Sequence, residues 1–149
     1  MKINFTLKTF EALNSHELYA LLQLRSEVFV VEQNCVYQDI DFKDQKALHL
    51  LGFFDNKLVA YARLFQPNDY FEQASIGRVV VAAEYRSQKW GHLLMNAAIQ
   101  NIEAHFNTHH ITISAQLYLK KFYESHGFVA VGETYLEDDI PHIRMEMKG

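Results

Sequence analysis

The stretch "GRVVVAAEYRSQKWGHLLMNAAI", Gly77 to Ile99, decides the fold. Three consecutive valines, Val79 to Val81, read as a buried strand, and Trp90, Leu93, Leu94, Ala97, Ala98 and Ile99 recur at the spacing of a helix's core face. Between them stands a polar, cationic turn. A turn that leaves a strand's carboxyl end and opens a helix presents unpaired backbone N–H groups and the positive end of the helix dipole, which together make an anion site. Gly91 removes side-chain bulk where a phosphate would approach, Ser87 adds a hydroxyl, and Arg86, Lys89 and His92 supply or could supply positive charge. The pattern is neither G-x-G-x-x-G nor a P-loop, because Gly77 precedes the strand and no Gly-Lys-Ser/Thr follows. As a bare spacing it reads first as an ordinary solvated connection.

Working outward, a strand at 76–82, a helix at 90–105 and a strand at 111–115 form a βαβ unit with parallel strands and a right-handed crossover. Upstream, "KINFTL" (2–7) reads as an edge strand. Asn14 and Ser15 are N-cap candidates for "HELYALLQLRSEVFVVEQ", whose Leu18, Leu21, Leu22, Arg25, Val28 and Phe29 share one face. That helix is expected to fray near Val30 and lead into a loop. "LHLLGFF" and "LVAYARLF" flank "DNK", with Asn56 suited to the positive φ of a hairpin turn. Downstream, "LYLKKFYESH" reads as a helix stopped by Gly127, followed by a strand from Phe128 to Leu136, a turn at "EDDIP" and a strand at "HIRMEMK". The expected fold is α/β, a mixed central sheet of six to seven strands in one domain over 1–149, with helices on both faces.

The 149 residues are 49% hydrophobic and 21% charged, which suits a packed core rather than a disordered chain. A net charge of -4 offers no overall attraction to nucleic acid or an anionic membrane, so an anionic ligand must be met by a local patch. Cys35 is the single cysteine, so no internal disulfide can form, and with no signal-like or spanning segment the expected compartment is the cytoplasm. His105, His109 and His110 have ligand-like spacing but fall where a helix ends in water, and no metal is expected.

At this point the residues carry a resemblance. "VVVAAEYRSQKWGHLLM" resembles the signature of the GCN5-related N-acetyltransferases (GNAT), in which a strand, Arg/Gln-x-x-Gly-x-Gly/Ala and a helix hold the pyrophosphate of acetyl-CoA. Arg86 and Gly91 fall on family positions, Lys89 replaces the first glycine, and His92 extends the motif. "AQLYLKKFYESHGF", Ala115 to Phe128, is similar to the family's later motif. "LLQLRSEVFVVEQNCVYQDID", "LVAYARL", "IGRVVV" and "DIPHIRM" look like its ElaA-type branch.

The resemblance implies an acetyl-CoA-dependent N-acetyltransferase acting on a primary amine of a small molecule or peptide by direct attack. It implies a splayed parallel pair in which Val79, Val80 and Val81 meet the pantetheine arm, with the N–H near Val81 polarising the thioester carbonyl. The turn Arg86, Ser87, Gln88, Lys89, Trp90, Gly91 and His92, together with Gln116, would complete the coenzyme site. Tyr123 matches the tyrosine that protonates the coenzyme thiolate.

For the base, His49, His142 and Glu32 could each border the acceptor cleft, since imidazole titrates near neutral pH. The acidic run Asp39, Asp41 and Asp44, with Glu32, is expected either to attract a cationic amine or to be a solvated loop. The acceptor pocket is expected from loops at 34–47, 66–73 and 136–142, and the aromatics of "NDYFEQ" could serve a homodimer. Two rival readings remain: an acyl-homoserine lactone synthase-like enzyme, suggested by "RSEVFV" and "DIDFKD", and a non-catalytic acyl-CoA sensor.

Overall fold

Asp55 and Asn56 both adopt left-handed φ, 51° and 63°, closing a two-residue turn whose twist suits antiparallel strands. They join β2 (Leu48–Phe54) to β3 (Lys57–Phe65). With β1 (Asn4–Thr9), β4 (Ala74–Val81), β5 (Ile111–Gln116), β6 (Val129–Glu137) and β7 (Ile140–Met147), they form one seven-stranded mixed sheet. Its order is β1-β2-β3-β4-β5-β7-β6 in the computed structural model, which describes residues 2–148. Met1 and Gly149, the ends of the expected domain, lie outside the described residues. In β3 every residue after Lys57 is buried, the sign of a strand covered on both faces. At Gly52 in β2 the sheet is so close to its neighbours that a Cβ would lie 2.9 Å from that of Ala60.

The helix α1 (Ser15–Arg25) opens with a capping box: the Asn14 side chain accepts from the Glu17 amide, and Glu17 accepts from the Asn14 amide. Rather than fraying near Val30, the chain continues as a π-helix over Ser26–Glu32, with Gln33 donating to the Val28 carbonyl. The expected core face of α2 (Trp90–Phe106) is also rotated. Leu93 is 47% exposed, and the buried stripe is Trp90, Leu94, Met95, Ala98 and Ile102. These positions follow the i, i+4 row, which leaves Leu93 on the opposite side. A short helix α3 (Lys120–Glu124) follows β5 and ends in a turn with Gly127 at φ 95°.

Two irregularities open the sheet. Between β3 and β4, Arg63 pairs with Gly77 but Tyr61 pairs with Val80, so β4 carries one extra residue, a β-bulge with Arg78 at φ 50°. On its other side β4 runs parallel to β5 only through Ala74–Ile111 and Ser75–Thr112. Past Ser75 the two strands part.

The loop after the π-helix is fastened by charge. Arg25 from α1 meets Asp39 and Asp44, each at 2.8 Å. Arg63 from β3 meets Asp41 at 2.8 Å and Asp44 at 2.9 Å, and Arg78 from the bulge meets Asp39 at 2.7 Å. Arg25 and Arg63 are fully buried, and Asp39 and Asp44 nearly so. The acidic run is therefore neither solvated nor free to attract an amine, because three guanidinium groups already consume its charge.

Removing one carboxylate leaves three buried or half-buried guanidinium groups to share two aspartates, a charge imbalance in a dry site; Asp44→Asn is expected to lower stability by about 3 kcal/mol in denaturant melts. Burial works to raise the Asp41 and Asp44 carboxyls, but hydrogen bonds and charge from Arg63, with Arg25 at Asp44, win. Asp41 is carried down to about 2 and Asp44 below its usual range. A depressed carboxyl contributes stability that is complete above about pH 4 and is lost as pH falls through the folded value. Tm is thus expected to drop steeply between about pH 4 and pH 2, and less so in Asp41→Asn.

Candidate active site

The parting of β4 from β5 opens a cavity of about 520 Å³. One wall is β4 from Ile76 to Val81, and the other is β5 with Ile113, Ser114 and Gln116. Successive N–H groups of a strand alternate sides. Ala82 donates to the Val59 carbonyl of β3, so the Val81 N–H faces the gap, where β5 is too far away to pair with it. Backbone groups turned into an apolar cleft without a strand partner suit an extended polar ligand lying between the strands.

At the carboxyl end of β4 the chain winds Ala83–Gln88 into a 3-10 turn before α2. Lys89 takes φ 60°, a conformation that favours glycine, which accounts for the glycine at this position of the GNAT signature. Arg86, Lys89, Gly91 and His92 line the cavity. A Cβ on Gly91 would meet only the Phe122 ring, at 3.5 Å, so packing within the protein does not demand glycine there. Arg86 donates through Nε to the Val81 carbonyl at 3.1 Å and forks onto both oxygens of Glu32, at 2.5 and 3.0 Å. His92 Nδ1 lies 2.9 Å from His126 Nε2, and burial, with the His92 ring next in effect, lowers the proton affinity of His126.

Three residues of the expected coenzyme turn stand outside this wall. Ser87 and Gln88 are exposed on the outer side of the 3-10 turn. Trp90 is buried, stacked on Tyr85 at 5.3 Å and packed on Phe54 at 5.4 Å, where its large apolar ring closes the core under α2. Val79, Val80, Val81 and Gln116 are in the wall, and Gln33 reaches across to donate to Gln116 at 3.1 Å.

Tyr123, from α3, is in the wall and only 7% exposed. Burial, with a smaller push from Tyr118, raises its hydroxyl well above the phenol range, so it keeps its proton at neutral pH. Of the proposed bases, Glu32 borders the cavity but is held by Arg86. His49 does not reach it. Its Nε2 must donate to the Asp44 carbonyl at 2.9 Å, so its Nδ1 accepts from the Tyr61 hydroxyl at 2.6 Å, and the fully buried ring is a core hydrogen-bonding residue. Strand alternation turns it inward under the acidic loop.

The loop wall comes from Cys35 and Tyr37 and from Glu137, Asp138, Ile140 and His142. Cys35 is buried with Sγ on the Asp138 carbonyl at 3.3 Å, a packing role. The 66–73 segment lines a separate groove with Lys43 and Arg144, and its Tyr70 stacks on Phe65. Among the described residues there is no group of three His, Cys, Asp or Glu placed to hold a metal, and no helix long and apolar enough to cross a membrane. Arg78 and Tyr37 were not singled out from sequence. A positive φ at an arginine has no composition signal, and Tyr37 is placed by its hydrogen bond to Asp39 at 2.9 Å.

The fold and this cavity define an acyltransferase of the GNAT class. Residues 12–149 match the model of the acetyltransferase (GNAT) domain, and the chain belongs to that family. Within it the chain is ElaA-like. It is 47% identical over 135 residues to protein ElaA of Escherichia coli K12, covering 89% of this chain and 88% of that protein. The crystal structure of Escherichia coli ElaA superposes with a TM-score of 0.92 at 42% identity, over 99% of this chain and 100% of that one. An acyl-CoA N-acyltransferase from Pseudomonas aeruginosa superposes at 0.93 with 47% identity, over 98% and 99%.

Burial holds His49 neutral, outweighing the nearby Asp44 carbonyl and carboxylate, so the folded protein binds its proton less readily than the unfolded chain. The stability this contributes is full above about pH 6.5 and is lost as pH falls below it. His49→Asn is expected to lower Tm at pH 7.5 and to shrink the loss of Tm between pH 7 and pH 5, measured by calorimetry.

Proposed function

We propose that this chain is an acetyl-CoA-dependent N-acetyltransferase, one domain over 1–149, which acetylates a primary amine of a small molecule or peptide in the cytoplasm by direct attack. The observation that carries this reading is the separation of β4 from β5 past Ser75, which leaves the Val81 N–H facing a cavity shared with Arg86 and Tyr123. The residues fit the coenzyme: unpaired strand amides suit a pantetheine arm, and Arg86, Lys89 and His92 suit its diphosphate. The coenzyme supplies the activated acetyl thioester. Val81 N–H stabilises negative charge on the carbonyl oxygen, a role in which one donor is worth about 3 kcal/mol. Tyr123, protonated at neutral pH, hydrogen-bonds the departing sulfur and gives it a proton.

Glu32 has a different part from the base expected of it. Both of its carboxylate oxygens are engaged by the Arg86 guanidinium. It instead orders Arg86 in the absence of diphosphate, which is a competing partner for the same guanidinium.

Titration calorimetry tests the reading directly: acetyl-CoA is expected to bind, and Arg86→Gln to weaken it about tenfold, by loss of a charge-assisted contact worth about 1.4 kcal/mol. Tyr123→Phe is expected to keep the affinity and lower kcat about a hundredfold, with free thiol release as the readout. Affinity without turnover on any amine would instead favour the sensor reading, and no affinity in folded protein would end the proposal.

A further inference from the structure

Resting on the acyl-transfer reading above, we infer that His142, oriented by the Ile140 carbonyl and flanked by Glu137, is the base that takes the proton from the acceptor amine. The proposal starts from register. Gln116, the last residue of β5, pairs with His142 on β7, so His142 stands at the end of the sheet where β4 and β5 have parted. Its ring is in the cavity wall, with only 7% of the side chain exposed.

The hydrogen bonds fix which nitrogen is free. Nδ1 lies 2.7 Å from the Ile140 carbonyl, and a carbonyl only accepts, so Nδ1 carries the hydrogen. In the neutral ring Nε2 then holds the lone pair, the arrangement a base requires. Glu137 Oε2 lies 3.4 Å from Nε2, placed to stabilise the imidazolium once a proton arrives. Glu137 is itself held from the other side, where Ser114 Oγ donates to its Oε1 at 3.3 Å, and the Tyr135 ring stacks on the imidazole at 6.0 Å. Among the described residues the neighbouring guanidinium groups are engaged elsewhere: Arg144, two residues on along the same face of β7, turns over Phe71, and Arg78 in the cavity wall pairs with Asp39 and Asp41. Gln116, which shares the wall, carries no charge. The alternatives are occupied: His49 by Tyr61 and Asp44, Glu32 by Arg86.

The step balances. His142 Nε2 takes one proton from the acceptor ammonium and passes it to solvent. The nitrogen lone pair forms the C–N bond as the C–S bond breaks and its electrons leave on sulfur. Tyr123 protonates that sulfur, and the proton the acylated nitrogen sheds replaces the one Tyr123 gave.

The test uses the full chain, acetyl-CoA and a panel of alkyl mono- and diamines, with free thiol release followed from pH 6 to pH 10. His142→Ala is expected to lower kcat about a hundredfold and to recover at least tenfold with added imidazole, while calorimetric affinity for acetyl-CoA stays at the wild-type value. Glu137→Gln is expected to lower kcat severalfold with KM unchanged. Nitrogen NMR of the wild-type ring should show the Nδ1–H tautomer, a readout that needs no acceptor. Wild-type turnover in His142→Ala, failure of imidazole to rescue a folded variant, or an Nε2–H tautomer would overturn the assignment. Loss of acetyl-CoA affinity in the wild type would instead refute the underlying reading, so the two failures are separable.

Discussion

The cavity depends on a parallel pair that stays together for only two residue pairs. Two adjacent parallel strands ordinarily continue their ladder, because every amide left unpaired in a dry interior is costly. Here β4 is pulled out of line from its other side. The extra residue at the bulge bends the strand, and Arg78, in a left-handed conformation that a long side chain seldom adopts, is held there by Asp39. Strain of this kind persists when surrounding contacts over-determine it, and the aspartate loop supplies those contacts. Bulge, splay and exposed Val81 amide are thus successive consequences of one charged anchor.

Much of this was legible in the chain. The βαβ unit, the hairpin across "DNK" with Asn56 in its turn, an N-cap at Asn14 and the edge position of β1 follow from periodicity and turn chemistry, which act over a few residues. Arg25 could even be placed on the inward face of α1 by spacing, although spacing does not say why a charge belongs there. What could not be read was long-range. The reason lies in Asp39 and Asp44, which stand 14 and 19 residues further on. The same holds for the site. The valine strand and the Arg86–His92 turn announce themselves locally, as does Tyr123 through its motif. His49 and His142 look alike in sequence, yet one is sealed beneath the loop and the other stands in the cavity wall. Strand register separates them, and register is a property of the assembled sheet. Trp90 sits within the turn's sequence but on the helix's buried side, as its core-face spacing indicates, and not in the cavity wall where the family motif would put it.

The π-helix deserves the same physical reading. A wider turn after Arg25 shifts the phase of the residues that follow, so Val28 and Phe29 reach the cavity while Glu32 reaches Arg86. A regular α-helix of the same length would present those side chains in other directions. Val28 is buried by this arrangement, and Glu32 at its far end pairs with Arg86.

Three arginines and three aspartates serve at once as ballast for the fold and as mounting for one side of the cavity. That double duty limits how the protein can diversify. A change of any of the six charges that reshaped the cleft would also unbalance a dry electrostatic lattice, so such variants would be removed by misfolding before their selectivity mattered. Freedom to drift toward new acceptors therefore lies with uncharged positions of the wall, such as Leu119 and Ile140.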